Sequence, residues 1–325
     1  MADGNPVNIP GTEAEQKLVW LCILAALALA AFIFCAVSAL LCVRAITKCE
    51  RRTEERVRGQ NEPEFPEAFR LWDTVWERVP FTLDVGDAVL NGEYVVHPEG
   101  RKRVVILCHG HTVCRLGEVK YAPLFYDRGW SLLLYDHRYF GRSTGACCTL
   151  GQRESEDLRQ VMAYARQVFG EDAVIALQGE SMGAATVLFV LDREKPAFVT
   201  ADCPFSDTMD LFRYMLPHRA HLPRWPLLPL AAFLGKAVYG YDMRAVSPIR
   251  SVRGSDTPIC LFHGEADKLI PCIHSQKLLE ASRNPKSRMH LVPGAHHAAA
   301  LARDPEGYAR VLNEFLDACT EEVST

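Results

Sequence analysis

Strand-length apolar runs recur along this chain between helix-length amphipathic segments, and that alternation restricts the fold more than any other feature. From about Pro80 onward the runs are Val104–Cys108, Ser131–Tyr135, Ala173–Leu177, Phe198–Ala201, Pro258–Phe262 and Met289–Val292. Helical patterns lie between them, near Lys120–Asp127, Glu154–Val168, Met182–Leu191, Ile273–Ala281 and Pro305–Ala318. Strands apolar on both faces must be covered on both faces, and strands joined through helices run parallel. The expectation is an α/β fold over residues 80–325, a mostly parallel sheet with helices on both sides. Ligands of such sheets bind beyond the carboxyl ends of the strands, so reactive side chains belong where these runs stop.

One stop carries a motif. Ala173–Leu177 leads into Gly179-Glu180-Ser181-Met182-Gly183, and a helical run begins at Ala184. Glycines on either side of Ser181 allow a tight, strained strand-to-helix turn that projects the hydroxyl. The helix start beyond it favours developing negative charge. A serine hydroxyl is a weak nucleophile near neutral pH and needs a base, itself oriented by an acid. After such a serine the acid and then the histidine follow in chain order. Asp267 lies just past the Pro258–Phe262 run, in His263-Gly264-Glu265-Ala266-Asp267, with Glu265 and Asp202 as alternatives. Asp267 also suits a capping position for the next helix. Past the last run stand His296 and His297, either of which can serve as the base. An oxyanion hole needs two backbone donors. The amide after the nucleophile, Met182, is one, and that of His111 in Cys108-His109-Gly110-His111-Thr112 is the second.

These motifs together resemble a bacterial branch of the α/β hydrolases, serine-aminopeptidase-like and related to the prolyl oligopeptidases. The resemblance spans about Phe81 to Leu316 and rests on Leu107–Thr112, Tyr135–Ser143, Gly179–Gly183, Ala201–Phe205, Gly264 through Pro271, and Gly294-Ala295-His296-His297. It implies the α/β-hydrolase fold, often behind one N-terminal membrane helix. It also selects His297, which ends the G-A-x-H pattern, as the base. Asp136–Ser143 departs from the family's D-x-R-G-x-G-x-S by placing bulky Tyr139-Phe140 in the loop. The segment Ser206–Tyr241 stands where this fold carries a lid. It is rich in apolar residues and broken by Pro217, Pro223, Pro226 and Pro229.

Ahead of the domain, Leu18–Val43 is apolar apart from Ser38, about 26 residues where roughly 20 cross a hydrocarbon core. Ala36-Val37-Ser38 weakly resembles a signal-peptide cleavage site, but the run is long and the flank before it, with Asp3, Glu13 and Glu15, is acidic. The reading is a tail over 1–17, a transmembrane helix over 18–43 and a linker with an amphipathic helix over 44–79. That helix is drawn from Phe69, Trp72, Trp76 and Val79. Arg44, Lys48, Arg51, Arg52, Arg56 and Arg58 follow the span, which places the catalytic domain in the cytoplasm. The twelve cysteines form no C-x-x-C pair, no H-E-x-x-H occurs, and the net charge of -4 gives no basic footprint. The expectation is therefore a membrane-bound serine hydrolase without metal, cofactor or nucleic-acid partner. It cleaves an acyl ester or thioester through an acyl-enzyme. A peptidase using the same triad is the alternative, and a catalytically inactive membrane-tethered binding protein is the rival of another class.

Overall fold

The structure is a computed structural model that describes residues 12–99 and 102–320. The start of the expected tail and the last residues of the domain, 1–11 and 321–325, lie outside the described residues. Helix α1, Glu13–Thr47, extends beyond the expected span at both ends. Two short helices follow, α2 Glu54–Asn61 and α3 Pro66–Arg70, the latter continued by a π-helical turn over Leu71–Val75. The strands are β1 Arg78–Asp84, β2 Val89–Val95, β3 Arg103–Cys108, β4 Ser131–Tyr135, β5 Val174–Glu180, β6 Val199–Asp202, β7 Ile259–Gly264 and β8 Arg288–Val292. The remaining helices are α4 Ala122–Tyr126, α5 Gln152–Phe169, α6 Met182–Phe189, α7 Thr208–His218, α8 Leu227–Tyr239, α9 Pro248–Gly254, α10 Ile273–Ala281, α11 Ala300–Arg303 and α12 Pro305–Thr320.

All eight strands form one sheet in the order β1-β2-β4-β3-β5-β6-β7-β8. From β4 to β8 every pairing is parallel, while β1, β2 and β4 pair antiparallel. This is the α/β-hydrolase fold, with helices on both faces. The two-residue period of a strand sorts the core. Val104, Ile106 and Cys108 of β3 face a cluster with Leu158, Val161 and Val187, whereas Val105 and Leu107 face Trp72, Trp130 and Phe315. A third apolar cluster sits at one end of the sheet. It joins Met182 and Ile270 to α7, α8 and the last turns of α1 through Ala39 and Val43.

Two local expectations need correction, and two features add to the sequence reading. The antiparallel β1–β2 hairpin was not anticipated. The helix expected near Lys120–Asp127 is α4, Ala122–Tyr126, and a 3-10 helix over Arg115–Tyr121 runs into it. The amphipathic stripe is not one helix, because Trp76 leaves the helical turn and Val79 lies on β1. Phe69, Trp72 and Trp76 are buried against the domain. The polar stretch before it is not a free connector either. Thr53 caps α2 by accepting from Arg56 N, and Val57 on that helix is wholly buried. Between β6 and β7, in the expected lid, Pro217 falls in the last turn of α7. It has no N–H for the Arg213 carbonyl, which accepts from Arg224 Nε at 2.8 Å instead.

Candidate active site

The β5-to-α6 turn forces Ser181 into φ 55°, ψ -111°, a region that L-residues seldom occupy. Both neighbouring glycines are sterically required. A Cβ on Gly183 would stand 1.8 Å from the Cys108 carbonyl oxygen, and one on Gly179 would stand 2.4 Å from the Gly183 carbonyl carbon. The turn is further fixed by Ser181 N, which donates to the Asp202 carbonyl at 2.8 Å. Met182 opens α6, where a backbone N–H has no acceptor within the helix.

Three of the residues singled out from sequence meet here. Ser181 Oγ is 2.9 Å from His297 Nε2, and His297 Nδ1 is 2.7 Å from Asp267 Oδ2. An ionised carboxylate only accepts, so Nδ1 carries the imidazole proton and Nε2 accepts from the serine hydroxyl. Asp267 has its side chain fully buried, whereas His297 keeps 22% of its own exposed. Burial opposes ionisation of Asp267, but hydrogen bonds from His263 and His297, with the Ile270 amide, outweigh it. They hold the carboxyl well below the usual carboxylate range. Asp267 Oδ1 accepts from Leu269 N at 2.8 Å and Ile270 N at 2.9 Å. These bonds clamp a turn rather than cap α10, which starts at Ile273 with Cys272 at its N-cap.

The other candidates are placed differently. Glu265 and His296 are exposed, with His296 Nδ1 3.2 Å from the Ala266 carbonyl oxygen. Asp202 lies beneath the serine turn. The loop after β3 approaches Ser181 at Gly110, where an added Cβ would be 3.5 Å from the serine Cβ. The His111 imidazole does not point to the substrate side. Its Nε2 lies 2.9 Å from the Ile46 carbonyl oxygen at the end of α1, and burial lowers its pKa. His109 fixes this loop. Its Nε2 accepts from His137 N at 2.9 Å, so its Nδ1 donates to the Gly110 carbonyl at 2.7 Å.

Two groups beside the site escaped the sequence reading. His263 Nε2 is 3.4 Å from Asp267 Oδ2 and 2.8 Å from the Ile270 carbonyl oxygen, a second donor whose only signal was the H-G-E-A-D spacing. Below the turn, Lys120 Nζ is 2.5 Å from Glu180 Oε2, and the Tyr121 hydroxyl lies 2.9 Å from both Glu180 Oε2 and Asp202 Oδ2. Tyr121 has one proton to give, so a carboxyl proton on one of the two acids completes the set. Burial and the nearby Glu180 charge raise Asp202 to about 6, with Lys120 and Tyr121 pulling the other way. No sequence pattern links positions 120, 180 and 202.

Cys203, Asp267 and His297 bring three ligating atoms within 4.8 Å of one another. The set suits a metal poorly. His297 Nδ1 is committed to Asp267, and burial pushes the Cys203 thiol well above its ordinary pKa, leaving it neutral.

A family model described as the alpha/beta hydrolase fold matches residues 103–226. The uncharacterized protein YqkD of Bacillus subtilis is 35% identical over 227 residues, covering 69% of this chain and 74% of that one. YfhR of Escherichia coli K12, also uncharacterized, is 28% identical over 196 residues, 58% of this chain and 61% of its own. Among solved structures, the Pyrococcus furiosus esterase Pf2001 superposes with a TM-score of 0.63 at 23% identity, over 76% of this chain and 93% of that one. A membrane phospholipase A superposes with a TM-score of 0.54 at 16% identity, over 94% of this chain and 99% of the other. The structural likenesses concern the fold, and they agree with the sheet order and the family model. The chain belongs to the α/β hydrolase fold family.

Proposed function

We propose that this protein is a membrane-anchored serine hydrolase that cleaves carboxylic esters or thioesters. The observation that carries the reading is the hydrogen-bonded series Ser181 Oγ–His297 Nε2–Asp267, at 2.9 and 2.7 Å. Ser181 Oγ attacks the acyl carbonyl carbon while its proton passes to His297 Nε2. Asp267 holds the imidazole in the accepting tautomer and stabilises the imidazolium. The Met182 and His111 amides receive the oxyanion. Collapse of the tetrahedral species expels the alcohol or thiol, which takes the proton from His297, and leaves an acyl-Ser181 ester. Water, deprotonated by His297, then releases the acid.

An ester reading draws support from the named activities of the structural neighbours, an esterase and a phospholipase A. Helix α1 is long and apolar enough to cross a membrane, and its end packs on the same apolar cluster as Met182. In this reading α1 spans the bilayer, the basic flank keeps the domain on the cytoplasmic side, and α7 with α8 forms the lid.

The test uses the full chain in detergent with a fluorophosphonate probe and p-nitrophenyl esters. Ser181→Ala should abolish labelling and lower ester turnover about 10³-fold or more. Labelling that survives in Ser181→Ala overturns the assignment. Aminoacyl amides cleaved far faster than esters would replace the esterase with a peptidase.

A further inference from the structure

The outer surface of α8 and the turn before it are unusual for a soluble domain. Trp225 is 80% exposed and Phe233 64% exposed; Phe233 and exposed Pro229 form an apolar stripe one turn apart on α8, and Trp225 stands in the turn just before the helix. The opposite face of the same helix, through Leu228, Ala231 and Ala232, packs into the cluster that holds Met182 and Ile270 beside the triad. The stripe thus lies on the far side of an element whose near side touches the site.

The position of α8 along α1 fixes where that stripe stands. Pro229, Leu230 and Phe233 face Ala31, Phe32 and Cys35 across an apolar groove. Farther along α8, a Cβ on Gly235 would lie 3.6 Å from Val43 Cγ1. The two helices therefore run parallel, with Trp225 at the end of α8 nearest the middle of the apolar run. A hydrocarbon core takes about 20 residues, so a span entering at Leu18 leaves near Val37. Ala31–Cys35 then falls within roughly 3 to 9 Å of the boundary at that face. Entry later than Leu18 only deepens it.

We infer that the tip of the α7–α8 turn is a bilayer-docking surface, with Trp225, Pro229 and Phe233 in the outermost acyl region of the leaflet that α1 leaves. The charges around the tip fit this boundary. Arg219, His221 and Arg224 are exposed just before Trp225, and the long side chain of Arg219 suits headgroup phosphates, while Arg224 Nε is held by the Arg213 carbonyl at 2.8 Å. An aromatic ring among basic residues is the composition of an interfacial anchor. Lys236 lies toward Val43 and away from the core, ion-paired to Asp242 at 2.7 Å. This deepens the proposed function and rests on its reading of α1 as a span. It makes the substrate class acyl esters resident in that leaflet, taken from the membrane beside α8.

The experiment reconstitutes the full chain in phosphatidylcholine vesicles containing phosphatidylglycerol and compares wild type with Trp225→Phe. Vesicles brominated along the acyl chains should quench a larger share of emission in wild type, and aqueous iodide should quench no more of it. Equal bromolipid quenching with stronger iodide quenching in wild type places Trp225 in water and overturns the inference. Protection of Trp225 from both quenchers means that protein covers it, as in a second copy, and overturns it equally. A second arm uses the double variant Trp225→Ser with Phe233→Ser. It should lose at least tenfold in turnover of a long-chain ester carried in vesicles, yet stay within twofold on a soluble short-chain ester. Equal loss on both substrates overturns leaflet delivery. Quenching that succeeds while wild type cleaves neither ester leaves the docked tip standing and defeats the hydrolase reading.

Discussion

Gly183 is where the path of the chain is least negotiable. A single methyl there would overlap the Cys108 carbonyl oxygen at 1.8 Å, backbone against backbone, with no flexible side chain to give way. Relief requires α6 to move off β3, which shifts Ser181 relative to His297. Gly183→Ala should therefore cost on the order of 3 kcal/mol or more of stability, read as a lowered urea midpoint. Ester turnover of any folded fraction should fall with it. An unchanged midpoint would mean that the turn tolerates side chains and that the strain at Ser181 has another origin. Gly59 supplies the contrast, since nothing lies within 4 Å of a Cβ placed on it. At this scale the sequence was informative because the restriction is local. The G-x-S-x-G spacing is itself the signature of a backbone too close for side chains.

Among elements, burial decides what can be read ahead of the structure. Strands β3 to β7 are almost wholly buried, and their unbroken apolar runs announced them. The β1–β2 hairpin is half-exposed and interleaves Asn91, Gly92 and Glu93, so neither an apolar run nor a clean alternation survives. Helix α2 offers one apolar residue, Val57, and helical periodicity needs more than one. The charges that join β5, β6 and the turn before α4 were equally invisible, since their partners are distant in sequence. They carry a pH signature. Asp202 has its pKa raised in the folded state to about 6, first by burial and then by Glu180, against about 3.9 in an unfolded chain. The folded protein thus holds this proton to higher pH than the unfolded one. The stabilisation is complete below about pH 4 and disappears as pH rises through about 6, on the order of 2–3 kcal/mol. Asp202→Asn, which stays neutral, should remove that slope. Urea midpoints of the two proteins, followed from pH 4 to 7, should converge or cross as the wild type loses its advantage. Parallel curves would mean that Asp202 is already ionised in the fold.

For the whole molecule, the association of α1 with the domain bears on topology. Thr47 and Val43 are buried, the Thr47 carbonyl accepts from Cys148 N at 3.0 Å, and the Ile46 carbonyl is 2.9 Å from His111 Nε2. The helix end is therefore part of the domain, and under the proposed span whichever side of the membrane receives that end receives the site as well. The basic residues after the span are only partly available to steer it. Arg51 donates to the Gly141 carbonyl, Arg58 pairs with Glu62 and Asp73, and Arg56 pairs with Glu50. These contacts form after folding, whereas orientation is chosen as the unfolded chain inserts, when all the bases count. The proposed cytoplasmic placement then predicts that a protease added outside intact cells spares the domain and digests it once the membrane is permeabilised. Cleavage in intact cells, to fragments ending within residues 48–320, would place the triad on the outer side. Reversing Arg51, Arg52 and Arg56 to Glu while adding Lys before Leu18 should convert the first pattern to the second. Protection that persists after that exchange would mean that the domain, not the flanking charge, sets the orientation.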